Sequence, residues 1–163
     1  DIEKSAFNMD NTEGENMAVD LAEKLVGKPV VVYSGMSLRA AAYKWKIDIN
    51  ENAKQLAWCN VFSELNHNEM QGWLFPEQKP VTSVVLHSNL EFARINKRIE
   101  VMRDVLESHG YEPEIVEARG TTALQQLLWT ILLGDYVSAY LGMMNGIDPT
   151  PVDLVEDFKQ KLG

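Results

Sequence analysis

One cysteine, Cys59, stands in 163 residues. Without a second thiol no disulfide framework can form within the chain, and a lone thiol in a strand-like stretch reads as a buried side chain. Basic runs are equally scarce. Fifteen Lys and Arg face twenty-four Asp and Glu, a formal charge of −9, with no cluster of cations to offset it. That balance argues against nucleic acid and against an anionic membrane surface as partners. A small anion needs only a few local donors and stays open. Long apolar runs are missing too. The longest, LLWTILL at 127–133, is interrupted by Thr130 and stopped by Gly134 and Asp135, so no membrane span is expected. The first residues, DIEKSAFNMDNTEGEN, are acidic and polar and do not resemble a signal peptide. A reduced, cytoplasmic setting is the expectation. There is no internal repeat and no low-complexity segment. With 45% hydrophobic and 24% charged residues the composition is that of a globular domain able to bury one sizeable core.

What the chain does contain is an alternation. PVVVYSG (29–35), LAWCNVF (56–62) and TSVVLHS (82–88) are short apolar runs with the pattern of strands buried on both faces, and PEIVEA (113–118) is a fourth strand. Helical periods lie between them. Met17, Leu21 and Leu25 recur behind a capping-box pair, Thr12 and Glu15. Leu38, Ala41, Ala42 and Trp45 share one face of a helix over about 37–45. Phe92, Ile95, Ile99, Met102 and Leu106 come after a second capping-box pair, Ser88 and Glu91. Gly120 opens a long helix to about 144, with a break or bend expected at Gly134, and DPTP (148–151) leads into a last helix over about 152–162. Strands alternating with helices predict an α/β fold, a three-layer sandwich with a mainly parallel sheet, helices on both faces and an extra C-terminal helix. Residues 1–14 read as a linker or mobile arm and 15–163 as the domain. The helix over 121–144 carries more apolar surface than one face of a sheet uses, which predicts that part of it packs on another subunit.

Four places carry candidate chemistry. YSGMSLRAAA (33–42) has the layout of an anion-cradling turn, but lacks multiple glycines or a Ser/Thr run; a plain strand-to-helix turn is the stronger reading. Glu51 stands between Asn50 and Asn52, which can orient a carboxylate by hydrogen bonding, as a base that takes a proton from carbon requires. The ordinary alternative is an exposed loop acid. SELNHNEMQGW (63–73) sets His67 between Asn66 and Asn68, with Glu64 and Glu69 beside them. Glu64 and His67 have the Glu-x-x-His spacing of carboxylate metal sites, yet neither His87 nor His109 repeats it, and no metal is expected. A histidine at the C-terminal end of a parallel strand is where α/β folds place binding and chemistry. Lys159, at the edge of the last helix's apolar face, either lies along its neighbours or presents its ammonium to an oxyanion.

Together NENAK (50–54), ELNHNE (64–69) and DYVSAYLGMMNGIDPTPV (135–152) resemble the bifunctional phosphoglucose/phosphomannose isomerases of the sugar-isomerase (SIS) superfamily, over nearly the whole chain from about residue 16. The family has two SIS domains, and this chain is similar to the second. The resemblance implies interconversion of glucose or mannose 6-phosphate with fructose 6-phosphate through a cis-enediol, with no metal or cofactor. It implies Glu51 as the base and His67 as the ring-opening residue. Lys159, with Lys161 as the fallback, falls at the sugar's ring or carbonyl oxygen, and Thr150, Asn66 and Asn68 support the substrate or the loop around it. The family's Ser/Thr phosphate loops lie in the first domain and nothing here replaces them. The isolated chain is therefore expected to be inactive without an N-terminal SIS domain. The alternative is a non-catalytic SIS-type module that binds a sugar phosphate and regulates; a scaffold that only dimerises is a third. Glu51, His67 and Lys159 occurring together favour the enzyme.

The strand at 56–62 adds a constraint from geometry. Seven residues of extended chain put Glu51 and His67 roughly 20 Å or more apart. One sugar phosphate cannot touch both within a subunit. Either the strand is misplaced or a homodimer shares its sites.

Overall fold

The computed structural model describes residue 7 and residues 16–75, 77–78 and 80–163. Helices and strands alternate as α1 (Met17–Leu25), β1 (Val30–Ser34), α2 (Arg39–Asn52), β2 (Ala57–Val61), β3 (Thr82–His87), α3 (Ala93–Ser108), β4 (Glu114–Glu117), α4 (Ala123–Met144) and α5 (Asp153–Leu162). The four strands form one parallel sheet in the order β2-β1-β3-β4. Most of the 1–14 arm, and the capping box at Thr12 and Glu15, lie outside the described residues. Phe7 is buried edge-on against Trp129, and its carbonyl accepts from the Tyr140 hydroxyl. α1 is capped by Asn16, whose side chain accepts from the Ala18 and Val19 N–H groups.

Two layers of side chains fill the space on either side of the sheet, as alternation along each strand requires. Val30, Val32, Val84, Leu86 and Val116 meet α1, α2 and α4 on one face. Val31, Tyr33 and Val85 meet α3 and the 3₁₀ segments Glu64–Asn66 and Glu69–Leu74 on the other. β1 is central and buried throughout, and β3 beside it is buried from Ser83 to Leu86, as their apolar runs predict. β2 departs from expectation. It is an edge strand, and Trp58 within it is 50% exposed. Only Ala57 of β2 is fully buried, so the run at 56–62 is not covered on both faces.

Three other boundaries also differ. α2 comes after a 3₁₀ turn at Met36–Leu38 and continues to Asn52, seven residues past the expected end at 45. Ser88 and Glu91 do not cap α3, whose N-cap is Phe92 without a side-chain cap bond. Ser88 Oγ instead donates to Gln126 on α4 (2.6 Å), and Glu91 bonds elsewhere. α4 runs without a break through Gly134 and is started by a capping box of Thr122 and Gln125. By length and composition alone α4 is long and apolar enough to cross a membrane, but half of that stretch is buried inside this fold. Leu124, Leu128, Met143 and Met144 remain exposed on it.

Gly134 marks close approach rather than a bend. Trp45, fully buried on α2, donates from its indole Nε1 to the Thr130 carbonyl at 2.7 Å. A Cβ at position 134 would lie 2.3 Å from that nitrogen. Gly134→Ala should therefore force α2 and α4 apart and destabilise the fold by about 1–3 kcal/mol, the usual range for overpacking. Thermal unfolding should show a Tm lower by roughly 2–4 °C per kcal/mol for a domain of this size. An unchanged Tm would mean the two helices do not meet there.

Candidate active site

α2 returns across the sheet and delivers its last turn to the end where the strands begin. Glu51 sits in that turn, exposed, and not in a loop. It borders a cleft of about 560 Å³ whose other wall is the segment around Ile147, Asp148, Pro151 and the start of α5. The asparagines beside it do not hold its carboxylate. Asn50 clamps the start of β2, donating to the Ala57 carbonyl and accepting from the Ala57 N–H, each at 3.2 Å. Asn52 donates to Ser138 Oγ on α4 at 2.8 Å. A third tie is Lys44, whose ammonium bridges Asp48 (2.5 Å) and Asp135 (2.8 Å). Burial pushes the Asp48 carboxyl above its ordinary value against the pull of that ammonium. These contacts fix the helix end, and Glu51 is aimed through its backbone.

Lys54 is a hub that sequence reasoning did not single out. It has a left-handed backbone (φ 52°), uncommon for a residue with a side chain. Its ammonium donates to the Glu51 carbonyl (2.6 Å) and to the Pro149 carbonyl (3.2 Å). It thus caps the C-terminus of α2 and ties it to the 147–151 segment across the cleft. Asn145, just past α4, adds bonds to the Ala53 carbonyl (3.3 Å) and the Gln55 side chain (3.0 Å). The only signal of this hub in the sequence is the position of Lys54 in NENAK. Thr150 is exposed beside the cleft, and its N–H and hydroxyl hold the Asp148 carboxyl below its ordinary value.

His67 belongs to the other end of the sheet. It is exposed, placed just past the 3₁₀ turn Glu64–Asn66 after β2. Asn68 donates to Glu64 (3.1 Å), closing the turn around it, and Asn66 contacts the Met70 sulfur (3.0 Å). Glu69 is engaged away from the imidazole. One of its oxygens accepts from Tyr33 OH and the other from Asn60 Nδ2, both at 2.6 Å. Burial, then this acceptor, pushes the Tyr33 phenol well above its ordinary value, so it remains a donor. Glu64 thus closes the turn through Asn68, while Glu69 anchors the segment to β1 and β2. Five residues of β2 alone hold the Glu51 and His67 regions roughly 17 Å apart. Lys159 and Lys161 are on α5, paired with Glu156 (2.7 Å) and Asp157 (2.5 Å). Among the described residues no three His, Cys, Asp or Glu side chains come together as metal donors.

The turn after β1, weighed as an anion cradle, holds an anion of its own. The Glu91 carboxylate accepts from Ser37 N–H (2.9 Å) and Ser37 Oγ (2.7 Å). It lies so near Gly35 that a Cβ there would be 2.2 Å from Glu91 Oε2. Burial opposes its charge, but the Ser37 and Phe92 donors outweigh that and hold the carboxyl below its ordinary value.

The all-parallel sheet with helices on both faces is an SIS-type α/β fold. The fold is shared with a glucose-6-phosphate isomerase-like protein from Thermus thermophilus, at TM-score 0.69 and 23% identity over 86% of this chain and 48% of that one. It is shared also with the C-terminal domain of glucosamine-fructose-6-phosphate aminotransferase from Francisella tularensis, at TM-score 0.63 and 13% identity over 80% of this chain and 40% of that one. Residues 14–162 match the bacterial phospho-glucose isomerase C-terminal SIS domain, and the chain belongs to that family. The bifunctional phosphoglucose/phosphomannose isomerase of Thermoplasma acidophilum is 34% identical over 99% of this chain and 52% of its own length. That of Caldicellulosiruptor bescii is 36% identical over 92% of this chain and 45% of its own. The chain spans about half the length of the curated relatives it matches.

Because the Glu91 carboxyl is depressed below its unfolded value of 4.5, its contribution to stability is present above that pH. It is lost as pH falls through the lower, folded value. Glu91→Gln should cost about 1–2 kcal/mol at pH 7, read as a lower urea midpoint. The gap to the parent protein should narrow below about pH 4. A gap independent of pH would show that the charge of Glu91 is not what Ser37 holds.

Proposed function

We propose that this chain is the C-terminal catalytic half of an aldose–ketose isomerase that interconverts glucose or mannose 6-phosphate with fructose 6-phosphate through a cis-enediol. The family membership supports the isomerase class, and the position of Glu51 on a cleft of substrate size carries the rest. Glu51 moves a proton between C1 and C2, and His67 passes the ring hydroxyl proton. Of the proposed groups only an imidazole has its ordinary pKa near neutrality. Lys159 steadies the oxyanion that develops at the carbonyl. Its present partner, Glu156, is an exposed one, and such pairs contribute only about 0–1 kcal/mol, so exchanging it for substrate costs little.

Glu51 and His67 serve one substrate from two subunits. Their separation along β2 supports this, as do the exposed Leu124, Leu128, Met143 and Met144 on α4 and the α5 face of Leu154, Phe158 and Leu162. Phosphate is held by an N-terminal SIS domain, because the corresponding turn here is filled by Glu91. The isolated chain is then inactive.

A subunit-exchange experiment on the full-length protein tests the arrangement. Glu51→Gln and His67→Ala homodimers should each retain less than about a tenth of kcat, since general base catalysis is typically worth 10²-fold or more. Binding of fructose 6-phosphate by the Glu51→Gln protein should stay near normal. Mixed equally and exchanged, about half the dimers are hybrids, each with one intact site, so about a quarter of wild-type activity should return. With exchange confirmed by mass tags, activity that stays at the parental level would place both residues in the same subunit's site.

A further inference from the structure

Arg94, Lys97 and Arg98 occupy positions i, i+3 and i+4 of α3, and so project from one face of the helix. With Val101 and Met102 they form one wall of a cleft of about 320 Å³, and Asn66 and Met70 form the other. No acidic side chain lines it. Lys97 pairs with Glu100 at 2.9 Å, whereas Arg94 and Arg98 make no ion pair among the described residues. Of the three cations on this cleft, only Lys97 has a carboxylate partner among the described residues.

We propose that this cleft binds a phosphate monoester attached to an apolar body. Two guanidinium forks and an ammonium suit a doubly charged phosphate better than a singly charged carboxylate. The methionines and Val101 give the rest of the ligand an adaptable apolar seat. A hexose body fits poorly, because only Asn66 among the uncharged lining residues can bond to hydroxyls. The site is therefore distinct from that of the sugar phosphate. Asn66 has a buried carboxamide oxygen without a partner. Asn66 directly precedes His67, so an occupant bears on the segment that carries the proposed ring-opening residue.

Calorimetry at neutral pH and low salt, with phenyl phosphate, inorganic phosphate, phenol and fructose 6-phosphate as probes, tests the proposal. Phenyl phosphate should bind at least about tenfold more tightly than each of the other three, a difference expected when both the charge-assisted bonds and the apolar contact are needed. An Arg94→Gln/Arg98→Gln double variant should lose at least about tenfold in that affinity. Arg94 is exposed and Arg98 half-buried, and neither pairs with an acid among the described residues, so the fold should survive, and the comparison among probes needs no variant. In methionine-methyl NMR the Met70 and Met102 resonances should move on titration while the other methionines stay. Inorganic phosphate, phenol or fructose 6-phosphate binding as tightly as phenyl phosphate would overturn the proposal. So would an unchanged affinity in the double variant, or methyl shifts confined to other methionines.

Discussion

Because all four strands run the same way, each connection must recross the sheet before the next strand can begin, and the two ends of the sheet become separate places. Residues that lead into a strand gather at one end, and residues that leave it gather at the other. Glu51 ends the return helix α2 and His67 comes after β2, so the strand between them sets a minimum distance that no side chain can span. The ties around them keep that separation fixed. Asn50 and Lys54 hold the helix end to β2 and to the 147–151 segment, and Glu69 holds the His67 segment to β1 and β2. The proposed sharing of a site between subunits arises from strand direction as much as from the identity of the residues.

The second theme is the use of the chain's own charges to satisfy its own backbone and polar groups. The turn after β1 presents donors that would suit a phosphate, and Glu91 answers them. Lys54 answers the Glu51 carbonyl, at a helix end where the backbone has no partners of its own, and the Pro149 carbonyl across the cleft. With donors and acceptors consumed internally in this way, the cations left without an acid among the described residues stand out, Arg94 and Arg98 on α3 among them.

Much of the fold was legible because its signals are local. The buried runs of β1 and β3 and the periods of α1, α3 and α4 depend on short-range patterns that the packed structure keeps. The misreadings involve partners distant in sequence. Ser88 and Glu91 have capping-box spacing, but Gln126 and Ser37 compete for them and win. Gly134 looks like a helix breaker until Trp45 is placed against it. The polar stretch before β2 looks like a loop, yet its asparagines continue α2 because their side chains find Ala57 and Ser138. At the candidate site the residue types were legible, while the ties that aim them were not. Lys54 and Tyr33 act through contacts that no spacing rule encodes.

The strand order also leaves the sheet with two unequal rims. β4 is four residues long and carries glutamates at both ends, one of them, Glu114, bound to Lys24. Charge of that kind discourages another strand from adding. β2 has no charged residue in its five, and its outer backbone groups face no further strand of the sheet. Asn50 occupies the N–H and C=O of Ala57, and Asn60 Oδ1 accepts from the Val61 N–H, so β2 offers an additional strand only its remaining backbone groups, yet it is still the less guarded of the two rims. Handling of the separate domain is therefore a question of guarding that rim, and a single lysine placed on it is the smallest change that would do so.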